Sequence, residues 1–167
     1  MTRWIGGISR LYADRRYPRG RILGASAVAV SGAADTNENI LATINIPAGA
    51  MGLNGKLRLY MLFTVTSSAN NKTLRARLGG IGGTIFYGVT VTTTVTVTDQ
   101  RIISNRGAAN SQVGPGENSA SFSQSNTGAT TGAISTAAAT TLVITGQKAS
   151  AGETLTLEDY LVELIIP

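Results

Sequence analysis

Cysteine and histidine, two residue types that support much of protein chemistry, are absent from this 167-residue chain. Without cysteine no disulfide framework can form. Without either residue the chain lacks Ser-His-Asp and Cys-His catalysis and the usual ligands of transition metals. No run of about 18 apolar residues could span a bilayer, and no apolar stretch follows the basic N-terminus as a secretory signal peptide would require. We expect neither a cofactor nor a metal site.

Acidic residues offer one remaining route to catalysis, a pair of carboxylates as in glycosidases. Most of the acids lie in predicted turns or at strand ends, where solvated side chains are ordinary, and no pair stands out. We therefore predict that the protein is not an enzyme, and we treat a secreted polysaccharide hydrolase as a weaker alternative.

Charge is scarce and unevenly placed. Charged residues make up 14% of the chain, against about 25% in typical soluble domains, which suits a surface partly buried in an assembly. Residues 1–21, MTRWIGGISRLYADRRYPRGR, hold six arginines and one acid, and this excess equals the net charge of +5 of the whole chain. The sequence thus predicts a basic docking arm, residues 1–24, on a neutral body, residues 25–167.

From Ala25 onward, polar and apolar residues alternate with a period of two between clusters of Gly, Asn and Pro. The clearest case is VTVTTTVTVT at 89–98, whose β-branched residues predict one half-buried strand. The other predicted strands are 25–31, 39–46, 56–66, 72–78, 84–88, 101–104, 119–124, 140–146 and 154–166. So many short strands without a helical pattern predict an all-β antiparallel β-sandwich, a jelly roll, with an extended N-terminal arm.

Local patterns add detail to this fold. The alternation changes phase within the last predicted strand, which indicates a β-bulge near Glu158–Asp159. GGIGG at 79–83 lies between two predicted strands and opens no helix, so we interpret it as a hairpin turn and not as a phosphate-binding loop. Thr73, Arg75 and Arg77 share one face of their strand, and we prefer a solvated face to a basic strip that grips an acidic partner. Residues 104–137 are of low complexity and predict long surface loops around one or two weak strands.

Four interpretations of the arm stay open. Its arginines and three aromatic residues could contact phosphates and stack on bases. It could lie on a membrane as a helix, although two mid-helix glycines would cost about 2 kcal/mol, or it could be a disordered basic tail. We favour a peptide whose apolar side chains fill pockets of another protein while its arginines pair with carboxylates. The predicted docking residues are Arg3, Trp4, Ile5, Ile8, Arg10, Leu11, Tyr12, Arg15, Arg16 and Tyr17.

The stretch NILATINIPAGAMGLNGKLRLYMLFTVTSSANNKTLRARLGG, together with LEDYLVELIIP at the end, resembles a family of tailed-bacteriophage virion proteins. The resemblance covers roughly residues 37–167 and leaves out the arm. It implies a jelly-roll accessory protein of the virion, of the kind found as capsid decoration proteins, head fibres and tail-fibre or baseplate modules, often as trimers. It carries no catalytic residues across. The matching residues are Pro47-Ala48-Gly49, Asn54-Gly55, Lys72-Thr73-Leu74-Arg75, Gly79-Gly80 and Leu157-Glu158.

We therefore predict a non-enzymatic structural protein of a tailed-phage virion, a capsid decoration or head-fibre protein anchored by its N-terminal arm. Its partners would be other virion proteins, of the capsid or tail, and further copies of itself in a homotrimer. We expect no membrane partner and no nucleic-acid partner, and a location in the virion, assembled in the bacterial host cytoplasm. The alternative is a tail-fibre or baseplate module that binds a host-surface receptor through the 104–137 loops, where Phe122 is the one aromatic residue.

Overall fold

The computed structural model describes residues 19–119 and 125–166 of the chain, and eleven strands form within them. The strands are β1 Arg19–Ser26, β2 Val30–Ser31, β3 Asn39–Ile46, β4 Lys56–Val65, β5 Lys72–Leu78, β6 Thr84–Val91, β7 Thr96–Asn105, β8 Gln112–Gly114, β9 Thr130–Gly132, β10 Thr140–Lys148 and β11 Leu155–Ile166. Most of them correspond to period-two segments of the sequence. The short strands β8 and β9 lie in the low-complexity region, residues 104–137, where one or two weak strands were predicted.

The strands form two antiparallel sheets that pack face to face. Sheet A has the order β1-β11-β4-β7-β8-β9, with β2 also paired to β11, and sheet B has the order β3-β10-β5-β6. The four long strands of sheet A are β1, β11, β4 and β7 in that order, so the first strand of the chain pairs with the last. The chain passes repeatedly from one sheet to the other, and β5 and β6 form a hairpin within sheet B. This is the strand order of a jelly roll, and the predicted all-β sandwich is confirmed.

Alternation along each strand builds the core between the two sheets. In β4, the side chains of Leu57, Leu59, Met61 and Phe63 are fully buried, while the residues between them are partly exposed. Leu74 on β5 faces them from sheet B. Because burial of one such side chain stabilises a fold by about 1.5–3 kcal/mol, these layers hold the sandwich together.

The prediction of one strand over 89–98 is wrong. The chain leaves sheet B at the end of β6, turns through residues 92–95 and enters sheet A as β7. The turn is fixed by β4 and the segment after it, since Val65 N–H donates to the Val95 carbonyl at 2.9 Å and the Ser67 hydroxyl donates to the Thr93 carbonyl at 2.8 Å. The alternation of valine and threonine shows which side of the chain is apolar. It continues through the turn between the two sheets, so it does not reveal where one strand ends and the next begins.

Register shifts adjust the pairing of β11 on both of its sides. The predicted β-bulge is confirmed, because the pairing of β11 with β4 shifts between Leu157 and Asp159. A second shift lies in β1, between Ile22 and Gly24. β1 pairs with β11 from Arg19 onward, so residues 19–24, which the sequence assigned to the arm, form part of sheet A. The predicted strand 119–124 lies outside the described residues apart from Ser119, which is not in a strand.

Candidate functional site

The predicted docking residues, from Arg3 to Tyr17, lie outside the described residues, and their role stays a prediction. The chain enters the described body at Arg19, on the edge strand of sheet A. Several large apolar side chains are exposed along this edge, including Ile22 at 64% and Val28 at 75% of their full accessible area.

The outward face of sheet A continues from this edge as a mixed apolar and charged surface. Leu161 on β11 lies opposite Tyr60 on β4, and both are partly exposed. In the neighbouring row, Arg58 donates to the Glu163 carboxylate from its Nε at 3.0 Å, and Ile22 on β1 is paired with Glu163. A sheet face of this composition suits contact with a protein better than with a small ligand.

The outward face of sheet B carries a polar cleft of about 620 Å³, which we call the β5–β6 cleft. It is lined by side chains from β5 and β6 and from the two segments that flank residues 120–124, namely Thr73, Arg75, Gly88, Val89, Thr90, Glu117, Asn118 and Thr127. Three of these residues come from the low-complexity region of the sequence. The cleft thus brings part of that region onto a rigid strand pair.

Gly88 makes room for the acidic group of the cleft. It is paired with Arg75 across β5 and β6, and its N–H donates to the Glu117 carbonyl at 3.0 Å. A Cβ atom at Gly88 would overlap the Glu117 carboxylate and lie 3.0 Å from its Cδ. The carboxylate therefore occupies the space that any other residue at position 88 would fill.

A buried arginine fixes the segment that carries Glu117 and Asn118. Arg101 lies on the inward side of β7, and its Nη1 donates to the Gly116 carbonyl at 3.1 Å and to Ser119 Oγ at 3.2 Å. Its Nη2 donates to the Ser119 carbonyl, and its Nε lies 2.7 Å from Asp99 Oδ1. Burial, followed by the charge of Asp99, raises the pKa of the neighbouring Tyr87 hydroxyl, so that this group stays neutral.

The face shared by Thr73, Arg75 and Arg77 is covered in part by an acid from the segment before β3. Arg77 donates to Glu38 from Nε at 3.0 Å and from Nη2 at 2.9 Å, and Arg75 Nη1 lies 3.2 Å from the same carboxylate. Thr145 on β10 donates to it at 2.5 Å. Burial opposes the ionisation of Glu38, but these donors outweigh it and hold its pKa below the usual range. Arg75 and Arg77 are thus bound within the chain and do not form a free basic strip.

Two buried lysines close one end of the sandwich. Lys72 Nζ donates to Ser68 Oγ at 2.9 Å, and Lys148 Nζ donates to the carbonyls of Ala33 and Glu153 at 2.8 and 2.9 Å. The hydroxyl of Ser68 also donates to the Glu153 carboxylate and, with the nearby lysines, lowers its pKa. Both ammonium groups have oxygen partners, as buried charges require.

Within residues 19–119 and 125–166, no group of three or more acidic residues could hold a metal ion. The same part of the chain contains no helix with the length and apolar character needed to cross a membrane. The polar β5–β6 cleft and the apolar edge of sheet A are the surfaces that suggest binding.

Comparisons with known proteins leave the chain without a family. No family model and no curated protein matches it. Among solved structures it is similar to the CBM2 module of the evolved Dit of Lactobacillus casei BL23 phage J-1, at 13% identity over 75% of this chain and 70% of that chain, with a TM-score of 0.35.

Two structures of infectious bursal disease virus are also similar to the chain. That of the Gt strain has 17% identity and a TM-score of 0.30, and that of the Gx strain has 12% identity and a TM-score of 0.24. The match covers 92% of this chain but 41% of the viral chains, so this chain spans less than half of their length.

Proposed function

We propose that this protein is a non-enzymatic structural component of a tailed-phage particle, a capsid decoration or head-fibre protein anchored by its N-terminal segment. The segment before β1, residues 1–18, carries an excess of three positive charges, and Arg19 and Arg21 at the start of β1 bring the excess to five, while residues 22–167 are neutral. It joins the body at Arg19, the first residue of the edge strand of sheet A, three residues before the exposed Ile22. The junction of a basic, aromatic segment with the edge strand of sheet A is the observation that carries the proposal.

The docked segment would bind through two kinds of contact. Its apolar side chains would fill pockets of an acidic virion protein, and its arginines would pair with carboxylates and fix the register. Exposed residues at the edge of sheet A would extend the contact or join copies of the chain in a homotrimer. Three tethered segments per trimer would raise the overall affinity well above that of one segment.

Deletion of residues 1–18 tests this proposal, because β1 pairs with β11 from Arg19 and the body keeps its edge strand. The truncated chain should fold, remain trimeric in light scattering and fail to join particles that lack the native protein. A full-length variant with Trp4, Ile5, Ile8 and Leu11 changed to serine serves as a control that keeps the charge of the segment. Full occupancy by the truncated chain on particles in electron micrographs would refute anchoring by this segment.

A second candidate function is that of a tail-fibre or baseplate module that binds a host-surface receptor. The β5–β6 cleft favours it, since Glu117, Asn118 and Thr127 bring the low-complexity region to one polar surface. Adsorption of particles to host cells, measured with and without the protein, distinguishes the two functions. Adsorption that does not change when the protein is absent contradicts the receptor role and leaves the structural role intact.

A further inference from the structure

The β5–β6 cleft presents hydroxyl and amide groups in a fixed arrangement. Thr73 and Thr90 form a cross-strand pair with their Oγ1 atoms 2.9 Å apart. Since one hydroxyl donates to the other, the pair retains a hydrogen that can be donated and lone pairs that can accept. On the opposite wall, Thr127 Oγ1 donates to Asn118 Oδ1 at 2.9 Å, which orients the Asn118 amide nitrogen as a further donor.

One acidic and one basic side chain complete the lining. Within the described part of the chain, the Glu117 carboxylate accepts no hydrogen bond and lies in the space left by Gly88. Arg75 uses Nη1 for Gln147 Oε1 and Glu38, both at 3.2 Å, so its Nε and Nη2 make no hydrogen bond to residues 19–119 or 125–166. The cleft therefore offers the Glu117 carboxylate as an acceptor beside the remaining N–H donors of Arg75, whose charge is paired with Glu38.

The wall that carries Glu117 and Asn118 is held in place before any ligand arrives. Arg101, which is 1% exposed, binds the carbonyls of Gly116 and Ser119 on either side of these two residues. A buried charge is costly unless it is fully partnered, and replacing Arg101 alone by an apolar residue would remove the cation that lies beside the Asp99 carboxylate. Arg101 acts as a positioning residue, because the two arms of its guanidinium group hold the segment that carries Glu117 and Asn118 against β6.

We propose that the β5–β6 cleft binds a neutral saccharide through adjacent hydroxyl groups. A sugar hydroxyl both donates and accepts, and the lining supplies an acceptor-only carboxylate, a donor-only guanidinium and groups that do both. An anionic ligand would meet the Glu117 carboxylate, and an apolar one would leave these polar groups without partners. The volume of about 620 Å³ lies in the range of sites for small molecules. The cleft lies on sheet B, whereas the N-terminal segment joins the body at β1 of sheet A. Saccharide binding in the cleft therefore does not depend on docking of the N-terminal segment to a virion protein.

Binding can be measured on the full chain with a defined set of probes. The set contains neutral oligosaccharides of glucose, galactose, rhamnose and N-acetylglucosamine, with sialyllactose as an anionic probe, in saturation-transfer NMR followed by calorimetry. Glu117→Gln removes the charged acceptor, and Gly88→Ala places a methyl group where the carboxylate lies. Each should weaken the binding of a neutral probe about tenfold or more. Thr98→Val, an exposed hydroxyl on sheet A, should leave the affinity unchanged.

Arg101→Lys tests the positioning role separately, since lysine keeps the charge but loses the fork. It should weaken saccharide binding while it leaves the docking of the N-terminal segment on particles unchanged. Absence of binding by every neutral probe at about 5 mM, preference for sialyllactose, or equal affinity of Glu117→Gln and the native chain would each overturn the proposal. Failure of the arm deletion to release the protein from particles would refute the proposed anchoring without affecting this result.

Discussion

The guanidinium of Arg101 lies 4.9 Å from the centre of the Tyr87 ring, a cation–π contact in the interior of the sandwich. The same guanidinium is paired with Asp99 and donates to the 116–119 segment. One side chain thus joins β6, β7 and a loop in a region where charges are costly. The contribution of Arg101 can be measured by comparing the stability lost when it is substituted with the stability lost when an exposed arginine is substituted.

Arg101→Met should destabilise the fold by about 3–5 kcal/mol, because Asp99 and the loop carbonyls lose their buried cationic donor. Arg58→Met provides a matched control, since Arg58 pairs with Glu163 on the outward face of sheet A with 42% of its side chain exposed. An exposed ion pair contributes about 0–1 kcal/mol. Urea unfolding followed by circular dichroism gives both values, and equal losses would contradict the role assigned to Arg101.

Glu38 should make the fold less stable as the solution becomes acidic. Its pKa in the folded chain is lower than its ordinary value of 4.5. The native state therefore favours the ionised form, and its contribution is present above that value and is lost as the pH falls through the lowered pKa. The melting temperature should drop between about pH 5 and pH 3, and this drop should be smaller in Glu38→Gln.

The Glu38 measurement needs a control for the simple loss of a carboxylate. Glu117→Gln serves, because within the described residues that carboxylate has no hydrogen-bond partner. Asp35 and Glu153 also have lowered pKa values, from Asn39 and Ser68 respectively, so part of the acid sensitivity should persist in Glu38→Gln. An unchanged pH profile in Glu38→Gln would show that the contacts of Glu38 with Arg77 and Thr145 contribute nothing to stability.

Adjacent glycines in the β5–β6 turn should respond in opposite ways to alanine. A Cβ atom at Gly83 would overlap the Leu78 carbonyl oxygen and lie 2.6 Å from the Leu78 carbonyl carbon, whereas one at Gly82 would meet nothing within 4 Å. Gly83→Ala should therefore cost about 1–3 kcal/mol, and Gly82→Ala should be neutral or slightly stabilising, by up to about 1 kcal/mol. Thermal unfolding of the two variants measures the difference, and a tolerant Gly83→Ala would contradict the close approach in this turn.

Local sequence patterns predicted the strands well where one face is buried and the other is not. The bounds of β3 and β5 agree with the prediction, since their alternation is bounded by turn residues. The bulge in β11 was also predictable, because a change of phase in the alternation is itself the signal. The passage between sheets at 92–95 was not, since it depends on contacts with Val65 and Ser67 that no local pattern records.

The β5–β6 cleft was beyond sequence reasoning for the same physical reason. Glu117 and Asn118 lie in a stretch whose composition indicates only a turn. Their position depends on Arg101, which donates to the loop carbonyls on either side of them. Similarly, Glu38 reaches Arg77 from 39 positions away in the sequence. Ion pairs of this kind depend on which strands become neighbours, and no local pattern in the sequence records that.

Gln112 should be the most sensitive polar residue in the low-complexity region. It is fully buried, and its Nε2 donates to Asn105 Oδ1 at 3.0 Å and to the carbonyls of Ala109 and Ile134 at 3.2 and 3.0 Å. Its Oε1 accepts from the Ile134 N–H at 2.9 Å. Gln112→Leu keeps the volume but leaves these groups without partners, which should cost about 3 kcal/mol or more, since each buried group left unpaired costs about 1–3 kcal/mol.

Gln147→Leu is the matched control for Gln112→Leu, because Gln147 is partly exposed and water can replace its contacts with Arg75 and the Thr36 carbonyl. Its cost should stay near 0.5–1 kcal/mol, about the net worth of an ordinary hydrogen bond. Hydrogen exchange adds a local test, since Gln112→Leu should speed the exchange of the Ile134 amide before it affects the amides of β4. If the two variants lose equal stability and exchange changes uniformly, the Gln112 network does not hold this region, and packing of its apolar neighbours must order the loops instead.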